Sequence, residues 1–182
     1  GFMFVIMARS ELFTENTLYP VALILAERGH VLSTLRLWSI VFPCNIAGAF
    51  LFALLAVRTK ALRPDTLHAL VQLGADAAAS GSRHIFWSAV VGGWMIAMVA
   101  WLVSGSHSIT GSMAVIWALT FIVGLGHFAH CVATSGEILA AVLGHAVPPL
   151  GFLRWLTFAT LGNISGGVLL VTLLEYGQVK LD

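Results

Sequence analysis

Residues 113–143 read MAVIWALTFIVGLGHFAHCVATSGEILAAVL. Met113 to Gly126 is apolar, and Ile138 to Leu143 is apolar again. Between them stand His127, His130, Thr134, Ser135 and Glu137. Neither apolar piece reaches the roughly 20 residues of a full membrane crossing. The stretch therefore reads as one span broken by polar sequence at membrane depth. Irregular backbone survives there only when it is buried in protein or lines a cavity.

The surrounding composition demands a membrane. Of 182 residues, 59% are hydrophobic and 9% charged, and mean hydropathy is +0.95. A soluble domain carries roughly 25% charged residues, and disordered chains are polar and charge-rich. From His84 to Gly136, 53 residues pass without Asp, Glu, Lys or Arg. A net charge of +1 and no basic run leave no long-range field for nucleic acid. The expected fold class is an all-α integral membrane protein, with residues 1–182 forming a single transmembrane domain.

Outward from the break, Trp155–Leu174 is a span of 20 residues between Arg154 and Glu175. His84–Val103 is another, followed by a Ser/Gly turn over Ser104–Ser112. Leu37–Val57 supplies 21 uncharged residues between Arg36 and Arg58. Thr59–Arg83 is the most polar segment. Within Ala61–Ala79, Leu62, Leu67, Leu70 and Leu73 fall at mostly helical spacing, so part of it reads as a surface-lying helix. Gly1–Ala8 reads as the end of an apolar helix. Arg9, Ser10, Glu11, Thr14, Glu15 and Asn16 interrupt it, and Leu18–Ala26 is apolar but too short to span. This is a second broken span. The opening at Gly1, with neither an initiator Met nor signal-peptide features, suggests a missing N-terminal part. Cys44 and Cys131, both in apolar segments, read as packing residues.

The two breaks belong to an internal repeat. Asn45-Ile46-Ala47-Gly48-Ala49 resembles Asn163-Ile164-Ser165-Gly166-Gly167. Glu11 precedes Asn45 by 34 residues and His130 precedes Asn163 by 33. With one full helix ahead of each broken one, each repeat has an odd number of spans. Consecutive repeats then insert in opposite orientation, with a site at their midplane interface. Discontinuous helices of this kind mark transport sites, because their termini offer oriented dipoles.

His130 is the leading functional candidate, since an ionisable residue in an interrupted apolar helix is expensive. Neutral, it donates one hydrogen bond and accepts another; charged, it attracts an anion. Thr14 in the other break can fix its tautomer if the breaks face each other. Glu11, Glu15 and Glu137 either cap half-helices or reach a wet vestibule. Asn45 and Asn163 can satisfy backbone groups freed by a break. Gly48, Gly166 and Gly167 allow close helix approach. His127 and His130 form only a weak metal or haem pair, so no metal and no cofactor is expected. No nucleophile motif or phosphate loop points to an enzyme.

Glu11-Leu12-Phe13-Thr14, Ala129-His130-Cys131-Val132-Ala133 and Gly162-Asn163-Ile164-Ser165-Gly166-Gly167 resemble the formate/nitrite transporter family. Val5-Ile6-Met7-Ala8-Arg9 and Leu12-Phe13-Thr14-Glu15-Asn16-Thr17 look like its divergent YfdC-like branch. The resemblance runs from within the second helix to the end of the sixth. It implies an aquaporin-like protomer of six helices, the second and fifth broken, in a multi-pass homopentamer of the cell inner (plasma) membrane. Each protomer would pass small monovalent anions such as formate or nitrite through its own pore. The implied pathway contains His130 as the central histidine, Thr14 as its hydroxyl partner and Phe13 as a pore-lining aromatic. Phe2 and Val123 would stand near two hydrophobic constrictions, and Asn45 and Asn163 along the path. The family's vestibule Lys would fall near Gly81, where no Lys stands; Arg83 is the nearest cation, and Glu11 is a further vestibule candidate. The departure favours, as the alternative, a channel for a small neutral or unidentified solute. The resemblance puts Arg28, Arg36 and Lys180 on the cytoplasmic side and Arg58, Lys60, Arg63, Arg83 and Arg154 outside, an arrangement the positive-inside rule alone would reverse.

Overall fold

The computed structural model describes residues 1–27, 29–172 and Gly177. Arg28, Glu175 and Lys180, whose charges entered the sequence reading, lie outside the described residues. The elements are α1 (Phe2–Met7), a 3-10 turn (Glu15–Thr17), α2 (Tyr19–Glu27), α3 (Val31–Arg58), α4 (Pro64–Ala79), α5 (Ser82–Ser104), α6 (Ile109–Leu125), α7 (Ala133–Leu143) and α8 (Pro149–Ser165). α8 continues over Gly166–Thr172 as a wider π-helical segment. Among the described residues, three helical stretches are long and apolar enough to cross a membrane: Val31–Arg58, Ser82–Ser104 and Pro149–Thr172. The breaks expected around Ser10–Thr17 and His127–Glu137 separate α1 from α2 and α6 from α7, the second ending earlier than expected because Thr134, Ser135 and Glu137 already lie on α7.

α5 and α8 form the central pair, and glycines set their distance. A Cβ on Gly93 would overlap the backbone of Asn163, and one on Gly166 would overlap Val90 O and Trp94 N. Only a hydrogen at those positions lets the two backbones meet. The principal core spans the second break, with Trp155, Ile85, Ile138, Ala89 and Cys131 buried. Cys131 is thus a packing residue, as expected. Cys44 is exposed on α3, so it faces outward rather than packing.

α3 leaves Leu35, Ile40, Phe50, Leu51 and Leu55 exposed, the outward apolar surface of a helix placed in lipid. α4 packs on α7: a Cβ on Gly74 would meet the backbone at Glu137 and Ile138. Its opposite side, including Asp65, His68 and Gln72, is exposed. The Arg154 guanidinium on α8 donates to Ala78 O and Ser80 O, tying α8 to the end of α4.

Candidate functional site

Both broken spans end their first half in the same way. Arg9 and His127 adopt left-handed backbone, with φ of 54° and 50°. Ser10 N–H donates to Val5 O at 2.8 Å, and Phe128 N–H donates to Val123 O at 3.1 Å. These long bonds close the last turns of α1 and α6 and satisfy carbonyls left free at a helix end.

Two asparagines then hold the irregular backbone. Phe13 N–H donates to Asn45 Oδ1 at 2.9 Å, and Asn45 Nδ2 donates to Glu11 O at 3.1 Å. In the second break Cys131 N–H donates to Asn163 Oδ1 at 2.7 Å, and Asn163 Nδ2 donates to Ala129 O at 2.9 Å and Ala89 O at 2.7 Å. The sequence separations are identical in the two breaks, 32 residues to the donor and 34 to the acceptor. The repeat therefore equates Leu12 with His130 and Phe13 with Cys131. This corrects the alignment of Glu11 with His130 by one position. Both asparagines thus satisfy backbone groups freed by the breaks, as expected from the sequence.

His130 is buried at the meeting point of the halves, 1% exposed. Its Nδ1 accepts from Val132 N–H at 3.3 Å and Ala133 N–H at 3.0 Å, the first free donors of α7. An acceptor at Nδ1 places the ring proton on Nε2 in the neutral tautomer. Nε2 lies 2.8 Å from Thr14 Oγ1, which is fully buried. The geometry assigns Nε2–H as donor and Thr14 as acceptor, leaving the hydroxyl's own proton to give. A second proton on Nδ1 would face two N–H groups, so charging the ring requires α7 to release its cap.

A cavity of about 520 Å³ opens onto His130 and is lined also by Phe2, Val123, Thr134, Asp76, His84, His127 and Glu137. Phe2 sets its ring edge-on to the imidazole with centroids 5.2 Å apart. On the far side a second cavity of about 440 Å³ is lined by Ile6, Arg9, Ser10, Glu11, Glu15, Asn16, Tyr19, Ser104 and Ser106. Between them Leu12, Ile96 and Val123 pack in a buried cluster with Phe2, Val5 and Phe128 against it. Phe2 in the first vestibule and Ile6 in the second are four residues apart on the chain and both lie on α1.

The structure brings together His130, Thr14, Phe2 and Val123. Phe13 is a correction: its ring packs against Phe42 and Trp38 of α3, 4.7 and 5.5 Å between centroids, and it lines neither vestibule. Helical and turn geometry at the break sends Leu12, not Phe13, into the barrier. Arg83 is exposed and absent from the first vestibule, where its neighbour His84 stands instead. Glu11 and Glu15 reach the second vestibule, Glu11 held by Asn16 Nδ2 at 2.7 Å, and Glu137 reaches the first. Leu12 and Arg9 were not among the sequence candidates. Their signal was position alone: Leu12 is the repeat partner of His130, and Arg9 that of His127, each pair separated by 118 residues.

Two vestibules separated by a buried apolar cluster, with a buried polar pair beside the first, sit inside an all-α membrane fold with two broken helices. The Formate/nitrite transporter family profile matches residues 1–177, and the chain belongs to that family. It is 31% identical over 185 residues to the inner membrane protein YfdC of Escherichia coli K12, covering 100% of this chain and 59% of that protein. It is 32% identical over 194 residues to a probable formate transporter of Methanothermobacter thermautotrophicus, covering 97% of this chain and 70% of that protein. Among solved structures, an FNT family ion channel superposes with a TM-score of 0.84 at 22% identity, covering 97% of this chain and 72% of that one. A pentameric formate channel with formate bound gives 0.81 at 20% identity, covering 99% and 79%. The family is one of transporters and channels rather than enzymes.

Proposed function

We infer that the chain conducts small monovalent anions of the formate or nitrite kind, through a pore in each protomer that passes His130. The functions of the relatives support the substrate class, and the pentameric formate channel supports assembly as a homopentamer. The Escherichia coli relative supports a multi-pass protein of the inner membrane.

The observation that carries the reading is the His130 Nε2–Thr14 Oγ1 bond, whose histidine lines the first vestibule. An anion leaving water for the apolar barrier loses hydration worth several kcal/mol, about the penalty for any buried ion. The Thr14 hydroxyl, accepting from Nε2–H, is polarised and can donate to the anion. α7 starts at this point, and the positive end of its dipole faces the same place. Beyond it, Leu12, Ile96 and Val123 offer no polar group. Passage of that layer is easiest for the neutral acid, formed when the anion takes a proton in the vestibule. Neutral His130 is not the source of that proton, because a neutral imidazole N–H is too weakly acidic and charging the ring at Nδ1 would displace the α7 cap; the proton reaches the anion from solution through the vestibule.

The test is flux of formate and nitrite into proteoliposomes against pH, with the full-length protein and its His130→Ala variant. The reading expects anion flux whose magnitude or pH profile changes in the variant. Flux of a neutral solute alone would favour the alternative of a neutral-solute channel on the same scaffold.

A further inference from the structure

Arg9 and His127 occupy equivalent places in the two repeats, and each pays for its place. Left-handed backbone costs an L-residue about 1–2 kcal/mol, and a helix-ending position of this kind is usually Gly. Here Gly is absent from both, and each side chain lines a vestibule: Arg9 the second, His127 the first. Both residues are exposed, so packing does not hold them there. A third left-handed residue, His145, closes α7 by the same motif, with Ala146 N–H on Ala141 O at 2.8 Å, and lines neither vestibule. It supplies an internal control for backbone strain without a pore.

We propose that Arg9 and His127 are the selectivity-determining residues of the two pore mouths, a guanidinium on one side and an imidazole on the other. The proposal rests on the anion-channel reading and adds an asymmetry to it. Arg9 shares its vestibule with Glu11, Glu15 and Tyr19. Glu11 is engaged by Asn16, so the guanidinium is set against carboxylates that hold back free anions unless it is present. His127 faces Asp76 on α4, His84 on α5, Glu137 on α7 and His130. Among the described residues lining this mouth there is no Lys or Arg, so the strongest donors to an anion there are imidazole N–H groups. His127 offers a ring N–H to an anion entering the first mouth, and the Arg9 guanidinium offers its charged fork at the second.

The experiment is initial formate and nitrite flux in proteoliposomes of uniformly oriented full-length protein, applied from each side at several pH values. Arg9→Gly, Arg9→Lys, His127→Gly, His127→Lys and His145→Gly are compared with wild type, and urea flux reports steric widening. The glycine changes suit the left-handed backbone, so each variant folds at least as well as wild type. Arg9→Gly is expected to raise the half-saturating anion concentration about two- to tenfold from the second side, the effect of one unit charge near a mouth. His127→Gly is expected to do so from the first side. The lysine variants restore affinity, each from its own side. His145→Gly leaves flux unchanged, and urea flux does not follow the charge changes. Anion flux that is the same in wild type and both glycine variants overturns this inference and leaves the channel reading standing. Wild type without anion flux from either side overturns the channel reading itself.

Discussion

Asn163→Leu removes the buttress of the second break at nearly constant volume. Asn163 is fully buried and makes three hydrogen bonds to backbone, at Cys131 N, Ala129 O and Ala89 O. Leucine leaves Cys131 N and Ala129 O without a partner in a place water does not reach, whereas Ala89 O lies inside α5 and keeps its helical donor. Each unsatisfied buried group costs about 1–3 kcal/mol, so the loss is at least about 2 kcal/mol. On the scale of domains of 150–250 residues, where 1 kcal/mol moves the midpoint by about 2–4 °C, unfolding falls by roughly 4–8 °C. Asn45→Leu also frees two groups, Phe13 N and Glu11 O, but Asn45 is partly exposed, so its effect is smaller. Thermal unfolding of the purified full-length protein in detergent, followed by tryptophan fluorescence, measures both. Because Cys131 adjoins His130, Asn163→Leu also lowers anion flux below the level its folded fraction explains. An Asn163→Leu variant as stable as wild type, or less affected than Asn45→Leu, would refute the claim that these side chains hold the breaks.

Two further consequences are open to direct measurement. Gly93→Ala forces a Cβ into the Asn163 backbone at the α5–α8 crossing, and overpacking of this kind costs about 1–3 kcal/mol; a lowered unfolding temperature is expected, and an unchanged one contradicts the crossing. Leu12→Ala opens the barrier it shares with Ile96 and Val123; solute flux should rise and discrimination against larger solutes fall in a liposome swelling assay, whereas unchanged selectivity places the barrier elsewhere.

The breaks were legible because polar residues stand out against long uncharged sequence. Thr14, Glu11 and Asn16 interrupt one short apolar run, His127 and His130 another. The asparagines were legible as a repeat. The register between the repeats was not, because the charge of Glu11 draws the eye while its true counterpart of His130 is the apolar Leu12. Only the shared hydrogen-bond separations reveal it. Phe13 was misplaced because a break abandons helical periodicity, so no spacing rule tells which side chain enters the barrier and which turns to Phe42 on α3. Arg9 and His127 carry no sequence sign of left-handed backbone, since that signal is ordinarily a glycine. Arg154 read as the edge of a span, yet it bonds the end of α4, a contact made across 76 positions.

The account's central claim is that the His130 Nε2–Thr14 Oγ1 bond forms the polar point of the pathway. A double-mutant cycle on anion flux tests it most directly, using Thr14→Val, His130→Phe and the pair in full-length protein, with Thr14→Ser as the conservative control. Loss of a charge-polarised hydrogen bond of about 1.5 kcal/mol corresponds to roughly tenfold in rate. The account predicts that each apolar variant lowers flux by about that factor, that Thr14→Ser retains it, and that the double variant is no worse than either single one. Effects that multiply, or a Thr14→Val variant with wild-type flux, would contradict it.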